Sequence, residues 1–478
     1  MSSWFRLVSS VKKILRPVLL PLLQRSGLKR WQTVYIPKIS ARDRLHADQV
    51  PTKVTIRNDQ TILINNEPFF PLGLYYVKDD LADMSGDRLR KLKAMGFNLI
   101  FFNGGLESEE LLDRIRDAGL YVWYRPPGEL YHKFDVLKQV VAKFAKHPAV
   151  LFWEMDDEPV LNGLKLSDVK IGCDIVRKID AFHPILCNQW LSNLDQTEDM
   201  RKWGRLADVY GFSIYPVPLW RWGNRMSLVE NGWPHSIAVV GKQTRFWKSI
   251  APDKPIIPVL QSWAADCIED GEDAYPTYQE CRFIAYQAVI NGAKGLHHYG
   301  AIDPAHPIFA CGIPPRIHTD LNQTHADFIL ARQYNQWFWS YYSNVIKELS
   351  IMSRIFTSQD GDWSPLILES STHQTANQIE CRVKQCRDSV VIILINSSNI
   401  PSRIELHAPK LVDQKLNVWG LSRTIQVNPN GILRDELEPF GVRVYSDQVD
   451  LLSDLSNSIL SGDEHGSSSF AAKEKSRR

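Results

Sequence analysis

Between residues 71 and 345 short apolar runs recur, each followed by a stretch whose apolar positions return every three or four residues. Such an alternation of strand and helix periods marks an α/β chain. Strands are predicted over 72–77, 98–102, 121–124, 149–153, 184–188, 208–214, 255–260 and 295–299. Helices are predicted over 87–95, 107–118, 134–146, 166–180, 236–250, 277–291 and 319–349, with Gly96 and Gly292 as terminators. Units of this kind, on the order of 250 residues in all, build a (β/α)8 TIM barrel. A doubly wound sheet competes, but its first strand leads into a glycine-rich phosphate turn, and residues 74–77 contain no glycine.

The texture differs on both sides of this region. Residues 54–70 alternate and turn at Asn58-Asp59 and Asn65-Asn66, which predicts a hairpin lidding one end of the barrel. Beyond residue 350, short strands over 379–383, 389–396, 402–407, 416–419 and 441–445 predict a C-terminal antiparallel β-sandwich. The expected organisation is an N-terminal extension (1–50), a barrel with its hairpin (51–348), a sandwich (349–448) and a disordered, Ser-, Gly- and charge-rich tail (449–478). In the extension, Trp4, Phe5, Leu7, Val8, Val11, Ile14, Leu15 and Val18 recur at helical spacing among Arg6, Lys12, Lys13 and Arg16. That pattern suits a helix lying on a membrane surface. The apolar core 18–23 is too short to span a bilayer, and no small-residue cleavage site follows it. Peripheral membrane contact through residues 1–30, or a disordered extension in a cytoplasmic protein, is expected ahead of secretion.

Composition narrows the chemistry. A net charge of +2 over 478 residues points to no nucleic-acid partner. The seven cysteines form no CxxC pair, so reduced thiols and no zinc site are expected. The 15 tryptophans and 16 tyrosines exceed what a core of this size needs, and aromatic faces suit the C–H patches of sugar rings.

Barrel active sites form at the C-terminal ends of the strands. The fourth strand ends in a run holding Glu154, Asp156, Asp157 and Glu158, closed by Pro159. Crowded carboxylates repel one another and persist where they hold a cation or move protons. The other strand ends offer Tyr75, Tyr76, Asn103, Arg125, Asn188, Trp190, Tyr215, Gln261, Trp263, His298 and Tyr299. Adjacent residues on a strand face opposite ways, so one ring of the His297-His298 pair points into the barrel and the other against helices. Arg125 is expected to pair with a strand-four carboxylate. Trp220 and Trp222 either pin their insertion or stack on sugars. No lysine stands ready for a Schiff base and no three-histidine set appears at these ends, so neither metal nor organic cofactor is expected. Acids, amides, hydroxyls and rings together suit a polyhydroxylated substrate.

These residues carry a resemblance. The segments Phe69-Phe-Pro-Leu-Gly73, Ala94-Met-Gly-Phe-Asn-Leu-Ile100, Trp153-Glu-Met-Asp-Asp-Glu-Pro159 and 282–296 resemble the clan of retaining glycoside hydrolases that contains cellulases, mannanases and β-galactosidases. The resemblance covers about residues 54–345, and the sandwich is similar to that clan's C-terminal domain. Strand four of the clan ends Asn-Glu-Pro, so the resemblance implies that Glu158 is the general acid/base. Asp157 stands where the asparagine that bonds the sugar 2-hydroxyl would be. The clan's nucleophile, a glutamate ending strand seven, is here Gln261, and an amide cannot form the ester intermediate.

Three readings follow. A loop acid (Asp266, Glu269, Asp270 or Glu272) supplies the second carboxylate, with inversion if the two stand roughly 6.5–9.5 Å apart. Alternatively the substrate supplies its own nucleophile: Asp156-x-Glu158 resembles the end of the chitinase-type motif, in which an acetamido group attacks, and Tyr215 would orient that group. In the third reading hydrolysis is lost and the protein only binds glycan. The expectation is hydrolysis of an oligosaccharide, polysaccharide or glycoconjugate, with Glu158 as acid and with Asp156 and Asp157 raising its pKa by like charge. Sugar identity and oligomeric state are not encoded legibly.

Overall fold

The alternating segment at residues 54–69 forms a three-stranded antiparallel meander, β1 (Val54–Ile56), β2 (Ile62–Ile64) and β3 (Glu67–Phe69). Gln60, Asn65 and Asn66 take positive φ at its two turns, a conformation that Asn tolerates better than most residues. The Thr52 hydroxyl donates to the Pro148 carbonyl (2.6 Å) and the Val54 N–H to that of Phe182 (3.0 Å). Both carbonyls precede barrel strands, so the meander covers the N-terminal end of the barrel, opposite the expected active-site end.

In this computed structural model the described residues are 50–76, 86–103, 109–126, 133–190, 197–217, 236–263, 275–300, 321–370, 378–387 and 389–447. They fall within one compact unit of the chain, Ser40–Arg478. The eight apolar runs are β4 (Leu72–Tyr76), β5 (Leu99–Asn103), β6 (Tyr121–Arg125), β7 (Val150–Trp153), β8 (Leu186–Gln189), β9 (Val209–Ile214), β10 (Ile256–Ser262) and β11 (Leu296–Gly300). They form one parallel sheet in the order β7-β6-β5-β4-β11-β10-β9-β8. The two outer strands meet in a single parallel bridge, Trp153 to Ile185, which closes the sheet into a barrel. Strands covered on both faces must be apolar throughout, which is why they read as runs rather than alternations.

The helices between them are α1 (Gly86–Met95), α2 (Glu109–Asp117), α3 (Phe134–Phe144), α4 (Leu166–Ile179), α5 (Thr197–Gly204), α6 (Val239–Ile250), α7 (Tyr278–Ile290) and α8 (Leu321–Phe356). Helix α3 shows how they pack. Leu137, Val140, Val141 and Phe144 form one buried stripe at i, i+3, i+4 and i+7, each worth about 1.5–3 kcal/mol of burial. Helix α7 opens with a reciprocal Thr277–Glu280 capping box and stops at Gly292, whose φ is +109°. Helix α5 was not anticipated. Its Thr-Glu-Asp-Met-Arg-Lys-Trp-Gly sequence is short and polar, and Met200 and Trp203 anchor it by burial. Helix α8 runs seven residues past its expected end at 349. Among the described residues no helix is long and apolar enough to cross a membrane.

The barrel interior is filled by rings. Tyr75 lies 3.9 Å from Phe101 between centroids, and Trp123 lies 4.7 Å from the His297 ring. His297 fits because Gly73 faces it from the next strand: a β carbon on Gly73 would stand 1.9 Å from His297 Nδ1. On the outer face, Tyr210 and Phe212 pack on Trp247 of α6.

The sandwich pairs a six-stranded sheet with a three-stranded one. The first has the order β12-β14-β15-β20-β17-β18, using β12 (Gln359–Asp360), β14 (Ile379–Cys386), β15 (Ser389–Asn396), β17 (Lys415–Val418), β18 (Thr424–Gln426) and β20 (Val442–Ser446). The second has the order β13-β16-β19, using β13 (Leu366–Ser370), β16 (Ser402–His407) and β19 (Ile432–Leu437). Ile392, Leu394, Leu406, Leu433 and Tyr445 meet in one core. A buried ion pair fastens this layer to the barrel. Arg282 of α7 reaches Glu348 of α8 (2.9 Å) and donates to the Val442 carbonyl (3.1 Å). The Tyr286 hydroxyl (2.7 Å) and Trp419 indole N–H (3.2 Å) complete the ring of donors around Glu348.

Candidate active site

The strand-four carboxylates stand at the C-terminal mouth of the barrel and divide into separate environments. Glu154, the first residue past β7, faces inward and has no exposed surface. Its Oε1 accepts the Asn188 N–H (2.9 Å), and Oε2 has no hydrogen-bond partner. Burial, and then the Asp157 charge, push its pKa well above the usual carboxylate range.

Asp156 pairs with Arg125 at the end of β6 (3.2 Å), and its Oδ1 also accepts the Asp157 N–H (2.8 Å). The anticipated Arg125 ion pair is therefore present. Asp157 is clamped from two strands: the Tyr75 hydroxyl donates to Oδ2 (2.7 Å) and the Asn188 amide to Oδ1 (2.9 Å). Asn188 donates as well to the Ser213 hydroxyl (3.0 Å).

Glu158 has a φ of +46°, an uncommon conformation for a residue with a β carbon. Two backbone bonds hold it there: its N–H donates to Asn188 O (3.1 Å) and its carbonyl accepts the Asn162 N–H (2.9 Å). Such strain costs on the order of 1–3 kcal/mol and collects at working sites. Burial and the Asp157 charge raise the Glu158 pKa to about 7, against a hydrogen bond from Ser213 and the Arg125 charge. Like charge was expected from both aspartates; Asp156 is instead engaged by the Arg125 guanidinium, and burial is the larger cause. The result is a carboxyl half-protonated near neutrality, the condition for general acid/base work.

An aromatic wall stands beside it. Tyr215 stacks on Tyr299 (5.6 Å, 27°), meets Trp263 edge-on (5.6 Å) and lies 5.8 Å from Trp190. The Ser213 side chain interacts with both the Glu158 carboxyl and the Tyr215 phenol. Ser213 was not anticipated, being a small polar residue inside the apolar run of β9. Its signal was positional: Gly211, Ser213 and Tyr215 share the inward face of that strand.

Gln261 is fully engaged. Its Oε1 accepts the Val217 N–H (2.9 Å), while Nε2 donates to Val217 O (2.6 Å) and Trp263 O (3.0 Å). It therefore supports the site's rim rather than presenting an amide to ligand. His298 is a clearer correction. Its ring faces outward, hydrogen-bonded to the Tyr342 hydroxyl of α8 and edge-on to Phe97, because it is one residue out of phase with inward His297 and Tyr299. Asn103 ends β5 opposite Arg125. Asp266, Glu269, Asp270, Glu272, Trp220, Trp222, the first 49 residues and the tail from 448 lie outside the described residues. Among the described residues no cluster of metal-ligating side chains occurs.

No family model matches this sequence, and no curated protein matches it. Solved structures share its fold. A chain described as a glycoside hydrolase superposes with a TM-score of 0.51 at 13% identity, over 83% of this chain and 97% of that one. A glycoside hydrolase family 5 protein from Bacteroides vulgatus gives 0.52 at 14% identity, over 82% and 93%. The (β/α)8 barrel with an antiparallel β-sandwich is thus an arrangement found in glycoside hydrolases.

Proposed function

We propose that this chain, built on the fold of glycoside hydrolases, hydrolyses a glycosidic bond in an oligosaccharide or glycoconjugate, with Glu158 as general acid. The observation that carries this reading is the Glu158 carboxyl itself, raised to about 7 at the barrel mouth beside stacked Tyr215 and Tyr299. A proton leaves Glu158 for the glycosidic oxygen as the bond to the anomeric carbon breaks, and positive charge develops on the sugar ring. Asp157, fixed by Tyr75 and Asn188, faces that charge. Glu158, now a carboxylate, then takes a proton from the incoming water.

One observation bears on the second step. All of Gln261's amide contacts go to backbone groups, so strand seven offers no group that attacks. The second step then falls either to the substrate's own acetamido oxygen, as N-acetylated sugars would supply, or to a loop carboxylate among Asp266, Glu269, Asp270 and Glu272.

The test sets wild type beside Glu158→Gln on aryl glycosides and natural glycans, with and without N-acetyl groups. Cleavage by wild type alone supports the acid, and cleavage confined to N-acetylated substrates supports the substrate's own nucleophile. If neither protein cleaves and both bind the same glycan, the chain is a carbohydrate-binding protein and the hydrolase reading fails.

A further inference from the structure

The acidic turn after β7 is closed by an asparagine that takes no part in the chemistry above. Glu158 stands at φ +46°, and a residue with a β carbon stays there only where its surroundings hold the backbone on both sides. The peptide ahead of its α carbon is held at both ends. Its N–H donates to the Asn188 carbonyl (3.1 Å), and its carbonyl, that of Asp157, accepts the side-chain amide of Asn162 (2.7 Å). The peptide behind that carbon is held too, since the Glu158 carbonyl accepts the Asn162 N–H (2.9 Å). Peptide groups are planar, so the torsions of Glu158 are the relation between these two planes. Asn162 grips both of the planes that aim the Glu158 side chain.

Asn162 is itself exposed, and its neighbour Gly163 takes φ +68° with open space where a β carbon would stand. The turn is completed by the Gly163 N–H on the Val160 carbonyl (3.1 Å) and the Leu164 N–H on that of Pro159 (2.9 Å). An exposed turn residue buries little apolar surface, so what Asn162 contributes is its hydrogen bonds. The bond to Asp157 needs a side-chain donor that reaches back along the turn. Leucine has the same shape without the donor, and an ionised aspartate offers acceptors only.

We propose that Asn162 is a positioning residue for the general acid: by holding the two peptides that flank Glu158 it keeps the carboxyl turned into the barrel mouth, half-buried beside Asp157. Its side chain is spent on the turn, so it acts through Glu158 rather than on substrate. The catalytic consequence rests on the reading of Glu158 as the acid. The placing of the carboxyl does not, and the two separate in experiment.

Two readouts on the full chain test it, one of them without substrate. Burial and the Asp157 charge raise the Glu158 carboxyl to about 7, so the folded state holds that proton more tightly than the unfolded chain. The unfolding midpoint of wild type should therefore fall below that of Glu158→Gln as pH rises from about 4.5 to 8. Asn162→Leu and Asn162→Ala free the carboxyl to turn toward water, and its pKa drops. Each is expected to lose most of that gap when compared with its own Glu158→Gln double variant, whereas a merely structural turn residue would lower the midpoint alike at every pH. On a cleaved glycan both variants should lower kcat roughly 10- to 100-fold with KM little changed, and move its alkaline limb to lower pH. A gap as wide as wild type's, or no gap in wild type, overturns the proposal whether or not the chain is a hydrolase. A gap that shrinks while kcat holds overturns the catalytic role. A gap that shrinks in a chain that cleaves no glycan supports the placing of the carboxyl and fails the hydrolase reading instead.

Discussion

Gln261 closes on Val217 through both ends of its amide, accepting that residue's N–H at 2.9 Å and donating to its carbonyl at 2.6 Å. This pairing ties the segment after β9, which carries Tyr215, to the end of β10. A carboxylate could keep the first bond and neither of the Nε2 bonds. Gln261→Glu is therefore expected to cost about 1–3 kcal/mol of stability and to generate no covalent glycosyl intermediate. Denaturant unfolding and mass spectrometry of the protein with a slow substrate read both; an equally stable variant that traps an ester would refute it.

Glu158 must carry its proton to act as an acid, so the proposed activity falls as pH rises through about 7. Asp157 contributes to that raised value by its charge. Asp157→Asn should move the alkaline limb of kcat/KM to lower pH, besides lowering the rate. A limb that stays in place would remove Asp157 from the electrostatics of the acid.

The same carboxyl makes a stability prediction that needs no substrate. Its folded pKa, about 7, exceeds the ordinary 4.5, so the native state holds the proton more tightly than the unfolded chain does. Stability is thus expected to decline as pH climbs from about 4.5 to 7, by about 3 kcal/mol from this group. Glu158→Gln removes the decline. It should unfold later than wild type at pH 8, with the difference vanishing below pH 4.5. Parallel pH–stability curves for the two proteins would contradict this.

Gly73 and His297 form a matched pair inside the barrel. Gly73→Ala places a methyl group where the imidazole stands, and overpacking of this kind costs about 1–3 kcal/mol or more. In the background of His297→Ala the same change should be close to neutral. A double-mutant cycle by chemical denaturation measures the coupling, and additive costs would mean the ring simply moves aside.

Glu348→Ala leaves the Arg282 guanidinium buried at the barrel–sandwich junction with its carboxylate gone. The expected loss is about 3–5 kcal/mol, read as a fall in unfolding midpoint or as a split transition if the layers part. A change under 1 kcal/mol would show that the Val442 carbonyl and water suffice for Arg282.

The barrel was legible because its signal is repetition, and each of its buried strands is apolar along most of its length. The sandwich was half legible. Strands β14, β15, β16, β17 and β20 announce themselves, but β19 reads Ile-Leu-Arg-Asp-Glu-Leu, and only its six-residue ladder with β16 makes it a strand. In the site, residue types and strand phase pointed to Glu158, Asp157, Tyr75, Asn188 and the aromatic rings, which the structure brings together at one end of the barrel. They mistook His298 because a two-residue histidine pair has two possible phases, and only the bulk around Gly73 decides between them. Gln261's role was hidden because its partners are backbone atoms, which sequence does not display.

Seven of the eight joints between neighbouring barrel strands are ladders; the joint between β7 and β8 is one bridge at Trp153 and Ile185. Side chains reinforce the few backbone bonds there. Trp153 donates to Asp180 (2.6 Å), Asn188 N–H to Glu154, and the Asn188 amide to Asp157. The residues that hold this joint are therefore the ones whose protons and charges define the cleft. Removing the side-chain acid of Glu154 or Asp157 therefore slackens a stave of the barrel as well as altering the chemistry.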